Sequence, residues 1–282
     1  MIVWGALVRA SGSGAGCGAH WPTCNGDVVP QAPGIKTIIE FTHRMMSGVA
    51  LIGVLVLVWW AWKAFPRGHR VRKAAAASLI LMLTEALLGA GLVLFQYVAG
   101  NVSVGRAIYL SAHMVNTLLL VAAITLTAWW SREGSRPPVS GVGWLMGVGL
   151  GAGLVIAMSG VIAALGDTLF PATSLVQGMA SDFSPAANFL VRLRVFHPVL
   201  AVLGGIYFVT VALMAGLGRK DALIRKVAYL VSGLVLLQVA LGVVNLILLA
   251  PVWMQLTHLF SADLVWVCFV ILTAETMAVR DI

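Results

Sequence analysis

Charge is what this sequence lacks most: 18 Lys and Arg and 10 Asp and Glu stand in 282 positions, against 60% apolar residues and a mean hydropathy of +0.98. That balance excludes a soluble cytosolic enzyme. The apolar/polar alternation of a membrane β-barrel is also missing, so helices must satisfy the backbone in lipid. No charged leader with a cleavage site is visible at the start of the sequence, so no signal peptide is expected there. Matched prolines at corresponding places in the apolar runs are lacking too, which argues against the broken helices of a transporter.

What is present is a series of seven apolar runs at residues 38–62, 74–98, 107–130, 142–165, 195–217, 227–252 and 253–279. Each reaches the ~20 residues that a bilayer span needs. Residues 1–8 are apolar but too short to cross before Arg9, and are expected to be the end of an incomplete first helix. The fold class is therefore an all-α membrane protein of eight transmembrane helices.

The net charge of +8 is read through its distribution. Lys63, Arg67, Arg70, Arg72 and Lys73, then Arg132 and Arg136, then Arg219, Lys220, Arg225 and Lys226 supply eleven of the eighteen basic residues in alternate connections. The positive-inside rule makes 63–73, 131–141 and 218–226 cytoplasmic and puts the loop at 10–37 outside, in a multi-pass protein of the cell membrane. The charge is thus topological, and no nucleic-acid partner is expected.

The two halves of the chain repeat. Gly5 matches Gly160, His43 matches His197, Glu85 in TEALLGAGLVL matches Gln238 in LQVALGVVNLIL, and His113 matches His258, at offsets of 155, 154, 153 and 145. A duplicated four-helix unit follows, with residues 1–130 and 142–282 as pseudo-symmetric bundles and 131–141 as linker. An even helix number per unit makes both enter the membrane from the same side.

Four of six histidines lie in apolar runs, each one or two turns from the same end of its helix. His43 with His113, and His197 with His258, form one pair per bundle, the arrangement by which a four-helix bundle grips a heme through both axial positions. Helix–helix hydrogen bonding is the plainer reading. Copper is a further one, because Met45, Met46, Met114 and Met254 are near. Three residues before the first histidine of each pair, Glu40 stands where the other half has Arg194. A guanidinium suits heme propionates, whereas a carboxylate is better used beside a reacting substituent, or is simply paired with Arg44. Arg9 is placed to meet a propionate or to reach the interface. Glu85 and Asp263 are intramembrane acids, functional candidates by default. Cys17 and Cys24 share a loop placed outside, where disulfides persist; Cys268 sits in an apolar helix.

GALVRASGSG, the loop CGAHWPTCNG and the helix opening EFTHR, followed by the ordered set Arg9, Cys17, Cys24, Glu40, His43, His113, His197 and His258, resemble the heme A synthase family over essentially the whole chain. The resemblance implies oxidation of a ring methyl of heme O, through a hydroxymethyl stage, to the formyl group of heme A. It implies that His43 and His113 hold the substrate heme, that Glu40 is catalytic, and that His197 and His258 ligate a heme b cofactor. Arg9, Arg44 and Arg194 become propionate partners. It further implies a Cys17–Cys24 disulfide, and heme O synthase and cytochrome oxidase assembly factors as partners. The alternative is a diheme b-type cytochrome that carries electrons without modifying heme.

Overall fold

The computed structural model describes residues 1–132, 143–217 and 221–277. The expected linker lies almost entirely outside these residues, as do Arg136, Arg219 and Lys220. Ten helices occur among the described residues: α1 Ile2–Ala10, α2 Ile35–Ala64, α3 Arg70–Leu94, α4 Val104–Trp130, α5 Gly143–Leu169, α6 Leu175–Asp182, α7 Phe189–Arg194, α8 Phe196–Gly216, α9 Ala222–Ile247 and α10 Val252–Thr276. Seven spans are long and apolar enough to cross a membrane, with α7 and α8 together forming one. The seven expected runs are all present as spans, and α1 is a nine-residue helix before Ser11.

Two features of the 166–195 region depart from the sequence reading. The connection between the runs at 142–165 and 195–217 carries a helix, α6, capped by the Ser174 side chain. The helix of His197 is broken between α7 and α8, at Val195. Pro198 explains the break, since its ring lacks an N–H and crowds the carbonyl four residues back, at Arg194. Its counterpart α2, with Arg44 in the proline's place, runs unbroken for 30 residues.

The repeat is visible in the turns. α3 and α9 both end in a left-handed residue that is not glycine, Gln96 (φ 56°) and Leu249 (φ 60°). In both, the next amide reaches back to the helix, Tyr97 N to Leu92 O and Ala250 N to Asn245 O, each at 2.8 Å, the Schellman closure. Within each half the largest contacts are α3 with α4 and α9 with α8 and α10. Between halves, α4 packs on α5 and α10, and α1 on α10 and α5, as a twofold relation between the units requires. Trp266 Nε1 donates to Leu118 O (2.8 Å) and Trp129 Nε1 to Glu275 Oε1 (2.6 Å) across that seam.

Packing is tightest away from the histidines. Met146, Phe208, Val211, Ala212, Ala215, Ile224, Ala228, Val231, Phe269 and Leu272 form the C-terminal core, and Val54, Met82 and Leu120 its N-terminal equivalent. At this end four cations lie over tryptophans: Lys63 on Trp59, Arg72 on Trp62, Arg70 on Trp130 and Arg132 on Trp129. Toward the other end the bundles open into a continuous cavity of about 1590 Å³. That end is covered by the loop before α2 and by α6.

Candidate heme-binding site

All four intramembrane histidines line the cavity. Each ring stands over a glycine of a neighbouring helix: His43 over Gly5, His197 over Gly160, His113 over Gly89 and His258 over Gly242. A Cβ added at Gly5 or Gly160 falls 3.0 Å from the ring, and at Gly242 3.2 Å. Gly5, Gly160 and Gly242 make room for the imidazoles, whereas at Gly89 the added Cβ falls 3.9 Å from the His113 ring, an ordinary contact. The pairs Gly5/Gly160 and Gly89/Gly242 show that the halves are repeated down to this packing.

The rings are held differently in the two halves. His113 Nδ1 lies 3.4 Å from Glu85 Oε2, an ion-pair distance outside hydrogen-bonding geometry. Glu85 is buried and accepts from Asn116 Nδ2 (2.7 Å) and from the Thr117 hydroxyl. His258 Nε2 instead faces Gln238 Nε2 at 3.1 Å, and His197 Nδ1 faces Ser159 Oγ at 3.0 Å. Gln238 Oε1 and the Ser261 hydroxyl are buried without partners. The buried Nδ1 atoms of His43, His113 and His258 have none either.

These features fit a metal held by imidazole pairs. Two imidazoles on opposite sides of one iron, each at about 2 Å, put their ring centroids about 6 Å apart. His197 and His258 stand 6.4 Å apart, with ring planes at 86°. At His258 the nitrogen beside Gln238 becomes a ligand only if that amide turns away. Among the described residues, no group of three or more His, Cys, Asp or Glu could hold a metal ion. Met45, Met114 and Met254 are split between the halves, and Met254 is buried in packing.

Glu40 lines the cavity and is 3% exposed. Its Oε2 accepts from Cys17 N (2.9 Å) and its Oε1 from Arg44 Nη2 (2.5 Å). Arg44 also donates to His20 O (2.8 Å) and Thr23 O (2.7 Å). The Cys17–Cys24 disulfide is present and fully buried. Glu40 and Arg44 thus bind the disulfide loop onto α2. Gly16 allows the close approach, since a Cβ there falls 2.5 Å from the Lys36 carbonyl. His20 stays exposed.

Arg194 has the parallel task. It donates to Asp182 (2.5 Å), Asp167 (3.0 Å) and Gly178 O (3.3 Å), which ties α6 to α5. Arg9 crosses between halves, donating to Ala164 O and Thr168 Oγ1 (both 2.7 Å) and Gln255 Oε1 (2.8 Å). Asp263 lines the cavity between the halves with no hydrogen bond among the described residues. Sequence reasoning missed Arg106, a buried cation on the cavity wall; its signal was a lone Arg two turns before His113.

The model of the cytochrome oxidase assembly protein family matches residues 1–270. A protein of Thermus thermophilus named protoheme IX farnesyltransferase is 47% identical over 98% of this chain and 46% of its own length. A heme A synthase of Alkalihalophilus pseudofirmus is 38% identical over 48% of this chain and 43% of its own length. One from Halalkalibacterium halodurans is 33% identical over 49% and 44%. The chain spans about half the length of the curated relatives it matches. With two glycine-seated histidine pairs around one cavity and a family match over nearly all its residues, the chain belongs to the cytochrome oxidase assembly protein family, that of the heme A synthases.

Proposed function

We propose that this protein is a heme O oxidoreductase of heme A synthesis, which takes a ring methyl of heme O through the hydroxymethyl to the formyl group, a loss of four electrons to an external acceptor with the oxygen atom supplied by water or dioxygen. The observation that carries the reading is one cavity with two matched histidine pairs whose surroundings differ, within this family. Residues 1–130 form the substrate half and residues 142–282 the cofactor half, joined by 131–141.

In the cofactor half His197 and His258 hold heme b, which when bound supplies one-electron iron chemistry. Ser159 sets the His197 ring and Gln238 stands beside His258. In the substrate half His43 and His113 hold heme O, and Glu85, 3.4 Å from His113 Nδ1, orients that ring. Holding the macrocycle on two rings selects which substituent meets the wall that carries Glu40. Glu40 is the residue on which oxidation depends. Its carboxylate is fixed there by Arg44 and the Cys17 amide, so the disulfide loop, Arg44 and Glu40 act together. Arg194 and Arg9 serve the propionate end of the cavity by holding α6 and the seam between the halves.

The basic connections place 63–73, 131–141 and 218–226 in the cytoplasm, and the disulfide loop outside. Heme O reaches the site from heme O synthase. The name of the Thermus relative describes a farnesyl transfer, and this chain spans 46% of that protein's length.

The test is the Glu40→Gln variant. Glutamine keeps an acceptor for Cys17 N but removes the charge. Loss of heme A with heme content retained supports an oxidase site at Glu40; unchanged heme A production contradicts it. Two copies of heme B, with no modified heme under any supply of heme O, would establish the diheme cytochrome instead.

A further inference from the structure

Four arginines line the cavity. Three have their partners within the protein. Arg44 meets Glu40, Arg194 meets Asp167 and Asp182, and Arg9 meets three acceptors of the C-terminal half. Arg106 is held through Nη1 only, with its Nε left over. It is 3% exposed, and its Nη1 donates to Ala99 O (2.6 Å) and Asn101 O (2.8 Å) in the turn between α3 and α4. Its Nε is buried with no partner, and among the described residues no carboxylate lies within 4.0 Å. A buried guanidinium without a counter-charge is costly, and the cost falls when an anion arrives.

Position supplies the second argument. Arg106 precedes His113 by seven residues on α4, which places both on one face, two turns and about 10 Å apart along the axis. The cation stands on the covered-end side of the imidazole. A tetrapyrrole gripped at His113 extends by its own radius and a propionate arm over a similar span. Under the repeat, Pro251, the N-cap of α10, occupies the equivalent place, so the C-terminal half has no cation there.

We infer that Arg106 receives a carboxylate of the ligand held at His43 and His113, so that the N-terminal site selects an anionic tetrapyrrole and sets its propionate edge toward the covered end. The free side of the guanidinium offers Nε and Nη2 for a charge-assisted pair, while Nη1 stays with the turn. This inference rests on the reading of the N-terminal histidines as a heme site.

The test compares hemin with hemin dimethyl ester, which lacks both propionate charges, in absorbance titrations of the detergent-purified protein. Wild type, Arg106→Gln and His113→Ala are measured, and the binding lost in His113→Ala defines the N-terminal site. At that site wild type is expected to prefer hemin over the diester by about tenfold or more. Arg106→Gln is expected to abolish the preference by weakening hemin alone. Because the ligand charge is varied on the wild-type chain, misfolding of the variant cannot imitate the result. A preference that is absent in wild type, or that survives in Arg106→Gln, overturns the inference. Hemin binding untouched by His113→Ala overturns the histidine reading itself.

Discussion

The two halves share a backbone plan and differ in what surrounds their histidines. Gly5 and Gly160 seat the first ring of each pair, and Gly89 and Gly242 the second. Beside the second ring, the N-terminal half has Glu85 with Asn116 and Thr117, whereas the C-terminal half has Gln238 with an unpartnered Ser261. The covering segments also differ. A disulfide loop is tied down by Glu40 and Arg44 in one half, and a short helix by Arg194 in the other. The lesson is that duplication kept the histidine positions and let the polar groups around them diverge, as expected if one half performs chemistry and the other carries a fixed cofactor. Glu40 and Arg194, opposite in charge, occupy one position of the repeat and each clamps a cover, so the contrast lies in what each presents to the cavity.

The sharpest way to break this comparison is to remove one ligand in each half. His113→Ala is expected to remove the substrate heme and leave heme b, and His258→Ala to do the reverse, both read as heme per chain after extraction. Loss of both hemes in each variant would mean that the halves are not separate sites. Next in size is Glu40→Gln against Arg194→Gln. The first is expected to lower product formation by about a hundredfold or more, as for a lost acid/base or charge-stabilising group, and the second by far less. Equal losses would show that both act only as clamps.

Freeing the disulfide loop by Cys17→Ser with Cys24→Ser is expected to cost about 2–3 kcal/mol of loop stability on the chain-entropy model. Thermal unfolding and product formation should both fall, while heme b is retained. Gly5→Ala and Gly160→Ala make a matched pair, since each adds a Cβ 3.0 Å from its histidine ring. Each is expected to perturb the spectrum of its own half only. The smallest effect belongs to Trp129→Phe, which removes one hydrogen bond across the seam and should cost about 1 kcal/mol of stability with no change in either heme.

Much of this was legible in the sequence, because the spans, the histidine spacing and the repeat are periodic and local. Span length follows from bilayer thickness, and four histidines at matched depth declare themselves against apolar neighbours. What was not legible depends on partners distant in the chain. Arg9 reads as a propionate partner until Thr168 and Gln255, 159 and 246 residues away, are seen to hold it. Arg194 reads as a propionate partner until Asp167 and Asp182 are seen to meet it. α6 was missed because an eight-residue helix bearing few charges looks like any loop. The break at Val195 was readable from Pro198, but a proline in the first turn of a span is also tolerated without one.

The most direct measurement is chromatographic identification of the hemes extracted from purified wild type and Glu40→Gln, each expressed with a source of heme O. Heme B with heme A in wild type, and heme B with unreacted heme O in the variant, is the expected result. Heme B alone in both, at two per chain, would contradict the division into a reacting and a carrying half.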